Sequence, residues 1–485
     1  MLHLLQHSKF FFCPLLCLGA LFVLVVKCSY AQTHSGVGNS LTIYVDCSDG
    51  NNSVHCGLTS NTSCKSLQFV VSERVQQVNS TNVVIKILSA ECKENGVLRF
   101  DSTNNNVSSW SFNGSTVAPK SRTVVHFSVE SFNSAISFSY LIWKNSSHPT
   151  SFSAHLCNIT FHDCTFEDTN LQFTGLNTNL LMQNTVTQHC SSQGTDIPLF
   201  FMQLFYNYAA RLFIQNSTFS HNKSPIIYAM QFEEILIQDT LFLGNGKDIT
   251  SSISMVKVSG SSVILRNSIV NGTLGPAIEV KNVNDFTANK VVFLSNSGTS
   301  GSCLVVKNHS NVSLVDTTFK QNTNPVISVK NNDGINILLK ACSFSCMQHS
   351  KDKNVPFLKA SAGSNISVTN CSIPKSCPAH CNNGELVKSH LYCEKCQSGH
   401  FSYHRNNIIL SDSCESCPEG TYASSKGSTN CRLCKEDTYA QKTGNTGCKK
   451  CTNDFFTSDA GAASCSKMTL ELILIIAATV PLIVI

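Results

Sequence analysis

Cysteines recur in pairs, with two residues between them, at 393/396, 414/417, 431/434 and 448/451. In a reducing compartment, thiolates spaced C-x2-C-x17-C-x2-C would hold zinc. The second candidate chemistry is carboxylate chemistry. Asp163, Asp239 and Asp316 recur at one place in a repeated segment, Glu233 and Glu234 are adjacent, and His162 stands beside Asp163. A row of acids could bind calcium or attack a glycosidic bond, and a His–Asp pair could move a proton. Each of these has a plainer reading. Asn216, Asn267 and Asn370 fill the same slot as the three aspartates, and a neutral amide cannot replace an acid or base, so the slot reads as turn chemistry. Consecutive residues on a strand face opposite sides, which separates His162 from Asp163 and makes Glu233–Glu234 a solvated turn. Neither a Gly-rich phosphate loop nor H-E-x-x-H occurs in the chain. The expectation is no catalytic residue, no metal and no cofactor.

The elements around these residues are those of a secreted protein. Lys9 precedes an apolar run from Phe10 to Val26, and "KCSYA" sets Ser29 and Ala31 at the small-residue positions of a cleavage site. A leader of residues 1–31 is expected, with an uncleaved signal anchor as the alternative. Of the 25 cysteines, Cys13, Cys17 and Cys28 fall in the leader; the even remainder reads as disulfides in an oxidising compartment. N-x-S/T sequons stand at Asn51, Asn61, Asn79, Asn106, Asn113, Asn145, Asn158, Asn216, Asn222, Asn271, Asn308, Asn311, Asn365 and Asn370, and none follows. Charged residues are 13% of the 485, and the formal charge of +5 drops by the two leader lysines, Lys9 and Lys27. With no Lys/Arg-rich run, a nucleic-acid partner is not expected.

"FIQNSTFSHN" (213–222) recurs as "LIQDTLFLGN" (236–245), "FTANKVVFLSN" (286–296) and "SLVDTTFKQN" (313–322), with weaker copies elsewhere, including "TFHDCTFED" (160–168) upstream. Its anchoring apolar residues, Phe219, Phe242, Val270, Phe293, Phe319, Phe344 and Ile373, are 23 to 29 residues apart. Such a period indicates a solenoid, because one unit cannot bury its own apolar face. A second apolar run follows each copy: "PIIYAM", "SMVKVS", "AIEVKN", "CLVVKN", "VISVKN". Short runs of period 2, rich in Val and Ile, are strands. The fold expected is all-β, a parallel β-helix with the anchors stacked inward. Asn216 then makes a turn, and Asn222 opens an outer loop as the better glycan acceptor of the two.

These copies resemble the right-handed parallel β-helix, pectin-lyase-like superfamily. The F-x-x-N pairs (Phe219/Asn222, Phe242/Asn245, Phe293/Asn296, Phe319/Asn322) resemble the polymorphic outer-membrane-protein repeat. "IYVDCSDGNNSVHCGLTSNTSCKSLQFVV" resembles the opening of such domains, with a first strand, a cysteine-bearing loop and a capping helix. The superfamily includes lyases, hydrolases, adhesins and receptors, so the resemblance implies a fold and not a function. In the cap, Cys56–Cys64 is the expected local bridge, and Cys47–Cys92 a further one.

Beyond residue 376 a second repeat begins. Cys396, Cys417, Cys434 and Cys451 are followed at the third residue by Gly399, Gly420, Asp437 and Asp454, and at the fifth by Phe401, Tyr422, Tyr439 and Phe456. Cys414, Cys431, Cys448 and Cys465 close the units. Units this small need a covalent staple, which favours disulfides over zinc. "CPEGTYASSKGSTNC" resembles the ephrin-receptor-like, growth-factor-receptor cysteine-rich repeats, and closures such as Cys417–Cys431 and Cys434–Cys448 are expected, although spacing alone does not fix connectivity.

"MTLELILIIAATVPLIVI" ends the sequence. It reads as a transmembrane segment, as a GPI-attachment signal, or as a secreted tail. The domains expected are a leader (1–31), a cap (32–100), a β-helix (101–375), cysteine-rich repeats (376–467) and a membrane segment (468–485). The function expected is non-catalytic: a single-pass cell-surface glycoprotein whose β-helix binds an extracellular glycan or protein. The alternatives are a membrane-tethered polysaccharide lyase or hydrolase, and a receptor ectodomain.

Overall fold

A computed structural model describes residues 40–467 except 54, 76–79, 103–106, 115–121, 145–148, 195, 205–208, 247–253, 299–300, 309, 324, 331–334, 346–356, 360–363, 375–380, 382, 389–390, 403–412 and 453–455. The expected leader and C-terminal apolar segment lie outside the described residues. Among those described, no helix is long and apolar enough to cross a membrane.

Strands pair in parallel with their counterparts one coil on, as a β-helix requires. Each coil supplies three strands, one to each of three faces. In the coil that contains Ile227–Gln238, the first part of that strand lies on face A and its second part on face B, and Leu241–Leu243 lies on face C. On face A Ile227 opposes Val256, on face B Ile235 opposes Val263, and on face C Phe242 opposes Val270. Register shifts between Ala229 and Phe232, where the chain turns from A to B. Gly260 occupies that corner at φ +156°, and a Cβ there would collide with the Phe232 carbonyl oxygen.

The anchors read from the sequence align. Phe219 opposes Phe242, then Val270, Phe293, Phe319 and Phe344 follow one coil at a time on face C. Where two phenylalanines are successive they stack: ring centroids are 5.1 Å apart for Phe219–Phe242, 5.2 Å for Phe293–Phe319 and 4.9 Å for Phe319–Phe344. Trp143 and Phe166 extend the row upstream at 4.8 Å. These side chains are all but fully buried. Stacked rings bury large apolar areas in an arrangement that each added coil repeats.

The turn between faces B and C is left-handed in every coil from Tyr140 to Asn370. Asp163, Asn216, Asp239, Asn267, Asp316 and Asn370 have φ between +46° and +54°. Each of the first five donates its backbone N–H to the coil above, as Asp239 N does to Arg266 O at 3.1 Å and Asp316 N to Lys340 O at 3.0 Å. The slot is therefore turn chemistry, since Asn and Asp tolerate this conformation. Lys290 and Ala341 fill it as well, at φ +53° and +54°, which shows that the stack can impose the conformation on other residues.

Two expectations are corrected. Asn222 does not open an outer loop; it is fully buried. Its Nδ2 donates to Thr187 O and Asn245 Oδ1, both at 2.9 Å. Asn245, Asn296 and Asn322 continue this inner ladder, with Asn296 Nδ2 donating to Asn322 Oδ1 at 3.0 Å and to Val270 O at 2.9 Å. Where the copy lacks asparagine, the Thr273 hydroxyl bonds Asn296 Oδ1 at 2.8 Å. A buried amide satisfied in this way cannot carry a glycan in the folded chain. Nor are His162 and Asp163 held apart. His162 Nε2 lies 2.8 Å from Asp163 Oδ2, because the left-handed turn swings Asp163 back beside the strand end.

At the N-terminal end, Leu67–Phe69 and Val70–Arg74 form the expected helical cap, with Leu67, Val70 and Val71 buried. Ser66 Oγ accepts the Phe69 N–H, and Glu94 accepts the Leu67 N–H. Burial pushes the Glu94 carboxyl up, against the pull of these hydrogen bonds. At the other end Leu391 is buried with the β-helix core and Tyr392 pairs with Leu358, so the cysteine-rich segment starts on the stack.

Candidate functional site

The disulfides fall where the repeats place them. Cys47–Cys92 and Cys56–Cys64 close the cap, and Cys396–Cys414, Cys417–Cys431, Cys434–Cys448 and Cys451–Cys465 close the four small units. Cys381–Cys393, which was not anticipated, precedes them. Each closed unit carries one short antiparallel hairpin, such as Thr421–Tyr422 against Arg432–Leu433. Gly444 N donates to Cys417 O at 2.7 Å and Gly461 N to Cys434 O at 2.8 Å, so successive units are hydrogen-bonded. The inference that all cysteines outside the leader pair is corrected. Among the described residues Cys157, Cys164, Cys190 and Cys303 are free and buried as small core side chains, and Cys342 and Cys371 are unbonded in this structure, Cys342 buried and Cys371 partly exposed. Burial pushes the thiols of Cys164, Cys190 and Cys303 up to about 12, which leaves them protonated and inert.

Sequons divide the faces. Asn158, Asn311 and Asn365 are exposed at the start of face B strands, Asn216 and Asn370 are exposed at the B–C turn, and Asn271 is half-buried on face C. Asn113 ends a face B strand, and Asn51 and Asn61 are exposed in the cap region. Asn79, Asn106 and Asn145 lie outside the described residues. Among the described residues no face A strand carries a sequon; Asn308 stands at the A–B corner.

Face A instead carries lysines. Lys281 opposes Lys307, which opposes Lys330 on the next coil. Lys257 and Lys359 stand one row over, in line with Tyr228, Glu279 and Ser328. Lys281 and Lys359 are exposed, and the other three lysines are partly so. Beneath them lies Glu279, only 6% exposed. Lys307 Nζ is 3.0 Å and the Ser254 hydroxyl 2.9 Å from its Oε2; Lys257 Nζ is 3.7 Å from its Oε1. Burial pushes the Glu279 carboxyl up, but Lys307, Ser254 and Lys257 outweigh it and hold the group below the usual carboxylate range. Lys257 also lies over the Tyr228 ring, 5.5 Å from its centroid, and burial with the nearby Glu279 and Asp196 charges pushes the Tyr228 phenol up to about 12.

Stacked lysines at the ~4.8 Å strand spacing repel one another, because like charges directly opposite are unfavourable. Glu279 neutralises part of this through Lys257 and Lys307, and Lys281, Lys330 and Lys359 have no acidic partner among the described residues. Such a row can attract an anion but is poorly fitted to acid–base chemistry. Glu279 is held ionised by Lys307, Ser254 and Lys257, and Tyr228 is held protonated. Sequence reasoning missed the row, although its signal was in view: "VKN" ends three of the second apolar runs, at 280–282, 306–308 and 329–331. The other acids stand apart from it. Glu233 and Glu234 lie 3.6 and 3.8 Å from Arg211 Nε at the border of face B.

Face B carries a shallower feature. A groove of about 360 Å³ runs past Asn158, Thr160, Asn179, Leu181, Arg211 and Phe213. Its asparagines, Asn158 exposed and Asn179 half-buried, bond along the axis, Asn179 Nδ2 to Asn158 Oδ1 at 2.7 Å.

Residues 420–467 match the family model described as tyrosine-protein kinase ephrin type A/B receptor-like. No curated protein matches the chain. Among solved structures, PfbA, a surface adhesin of Streptococcus pneumoniae, aligns over 70% of this chain and 93% of its own, at 9% identity and a TM-score of 0.26. A likeness this distant carries no functional weight.

Proposed function

We propose that the protein is a non-catalytic cell-surface glycoprotein that recognises an acidic extracellular ligand, an anionic glycan first among them, along face A. The observation that carries this is the in-register row Lys281–Lys307–Lys330 on the face that bears no described sequon. Glycans on faces B and C would leave A open to a partner. A leader of residues 1–31 would route the chain to the surface, the β-helix would wind right-handed as parallel crossovers do, and the disulfide-closed units would space it from a membrane anchor at 468–485. A GPI anchor or secretion is the alternative. The receptor-like repeats at 420–467 and the disulfides support an extracellular setting.

The test is incubation of the secreted protein with immobilised neutral, uronate-bearing and sulfated glycans, reading both retention and product release. Retention on acidic chains, falling with added salt, is the expected result. Product release would replace this reading with the lyase or hydrolase alternative, and retention on neutral chains alone would remove face A from the account.

A further inference from the structure

The free cysteines of the β-helix are not equivalent. At the start of most face C strands, just after the left-handed turn, one small side chain points inward: Ser217, Thr240, Ser268, Thr317, Cys342 and Cys371 belong to this row, in which Leu141 and Val291 are larger. The last two are neighbours. Lys340 opposes Thr369 and Ser343 opposes Ser372, which sets Cys342 directly across from Cys371 on the next coil. The Cys342 backbone N–H donates to Cys371 Sγ at 3.3 Å. The remaining free thiols have other company: Cys157 meets Ser131 Oγ at 3.1 Å, Cys164 the Phe138 carbonyl at 3.3 Å and Cys303 the Ser302 hydroxyl at 3.5 Å.

From this register we infer that Cys342 and Cys371 are joined by a disulfide in the mature protein, a covalent staple between the last two coils of the β-helix. A strand spacing of ~4.8 Å falls inside the ~4.4–6.8 Å Cα separation that a disulfide spans. Cys371 is partly exposed while Cys342 is buried, so the two thiols have separate parts in the reaction. The Cys371 thiolate attacks a low-molecular-weight or protein disulfide, R–S–S–R, and one R–SH leaves. The Cys342 sulfur then attacks the Cys371 side of the mixed disulfide, releasing the second R–SH. Two thiols are oxidised, one disulfide is reduced, and both protons leave on the released thiols. Burial pushes the Cys342 thiol up to about 12, so it is the poorer initiator; its attack is within the molecule and in contact.

The staple has a purpose where it stands. Among the described residues the strand Asn365–Thr369 is the last of face B, and it alternates exposed and half-buried residues where Asn311–Val315 and Asn336–Lys340 alternate with fully buried ones. Ile366 and Val368 pack only partly on the core. A solenoid frays at its ends, because a terminal repeat lacks one neighbour. A bond from Cys371 back to Cys342 ties that coil to one whose Leu339 and Phe344 are buried. The inference rests on the secretory reading of the chain.

The experiment is disulfide mapping on the secreted full chain, alkylated without reduction in denaturant. N-glycans are removed, then trypsin is used with chymotrypsin, since cleavage after Phe344 separates Cys342 from Cys346 and cleavage after Lys375 separates Cys371 from Cys377. The expected product links the Cys342 and Cys371 peptides, and Cys342→Ser frees one further alkylatable thiol at Cys371. Serine and threonine already occupy this row, so the variant keeps its fold, and faster amide exchange over Asn365–Thr369 is expected in it. Both thiols alkylated in the parent, with Cys417–Cys431 intact, overturns the pairing alone. Alkylation at Cys417 and Cys431 as well overturns the secretory reading with it. Cys371 linked to any other cysteine also overturns the pairing.

Discussion

The β-helix and the cysteine-rich units are both stacks of repeated coils, but they are held by different means. The β-helix buries continuous rows such as Phe293–Phe319–Phe344 and tolerates buried free thiols at Cys164, Cys190 and Cys303. Each cysteine-rich unit has one hairpin of two-residue strands and a disulfide; Arg432–Leu433 and Lys449–Lys450 are exposed, and their partners Thr421–Tyr422 and Thr438–Tyr439 are half-buried. A stack with an internal core can present varied outward residues, because stability does not depend on them. A stack whose buried apolar side chains, among the described residues, are Cys396, Cys417, Ala423, Cys434 and Ala440 depends on its disulfides. Under the proposed function, this division would put recognition on the β-helix and leave the units as spacers.

Reduction should separate the two most sharply. Loss of a native disulfide from a small unit costs about 2–5 kcal/mol, and these units have little else. Under reductant, amide exchange should rise to the unfolded rate at Tyr422 and Tyr439 and stay protected around Phe319. Equal loss in both stacks would end the comparison. Phe319→Ala is the converse change. A buried Phe→Ala substitution costs about 3–5 kcal/mol, and denaturant unfolding should show that loss in the β-helix transition while the units keep theirs. Asn296→Ala breaks the inner ladder at a smaller cost, about 1–3 kcal/mol for the polar groups left unpaired. Asn296→Thr should recover part of it, since Thr273 already serves in that row.

The pH dependence is smaller still. The Glu279 carboxyl is held below its ordinary value of 4.5, so the unfolded chain binds its proton first as pH falls. Its contribution is present above pH 4.5 and is lost as pH drops through the lower folded value. Glu279→Gln should flatten this part of an acid-unfolding curve. The smallest change is in glycan mass. Asn216→Gln should remove one glycan from the secreted protein and Asn222→Gln none, because only Asn216 is exposed.

Some of this was legible in the sequence. The anchors from Phe219 to Ile373 found the register of face C because a ring repeated once per coil survives insertions in the loops between. Cys417–Cys431 and Cys434–Cys448 were legible because a unit of constant length closes on itself. Asn222 was misread because its burial depends on Asn245 one coil away, and polarity alone suggests a loop. His162 and Asp163 were misread because strand alternation ends at the left-handed turn, one residue before the rule was applied. The lysine row of face A was hidden for a related reason: Lys281, Lys307 and Lys330 become neighbours only once coils of unequal length are aligned.

Recognition of an acidic ligand by face A is put to the test by the affinity of the full chain for a sulfated or uronate-bearing glycan, measured against salt, for the parent and for Lys281→Glu/Lys330→Glu. These side chains reach solvent, and no acidic partner is among the described residues, so the variant should fold and its stability should change little. The variant should lose most of its binding, and the salt dependence should shrink with it. Unchanged affinity and unchanged salt dependence would remove face A as the binding surface.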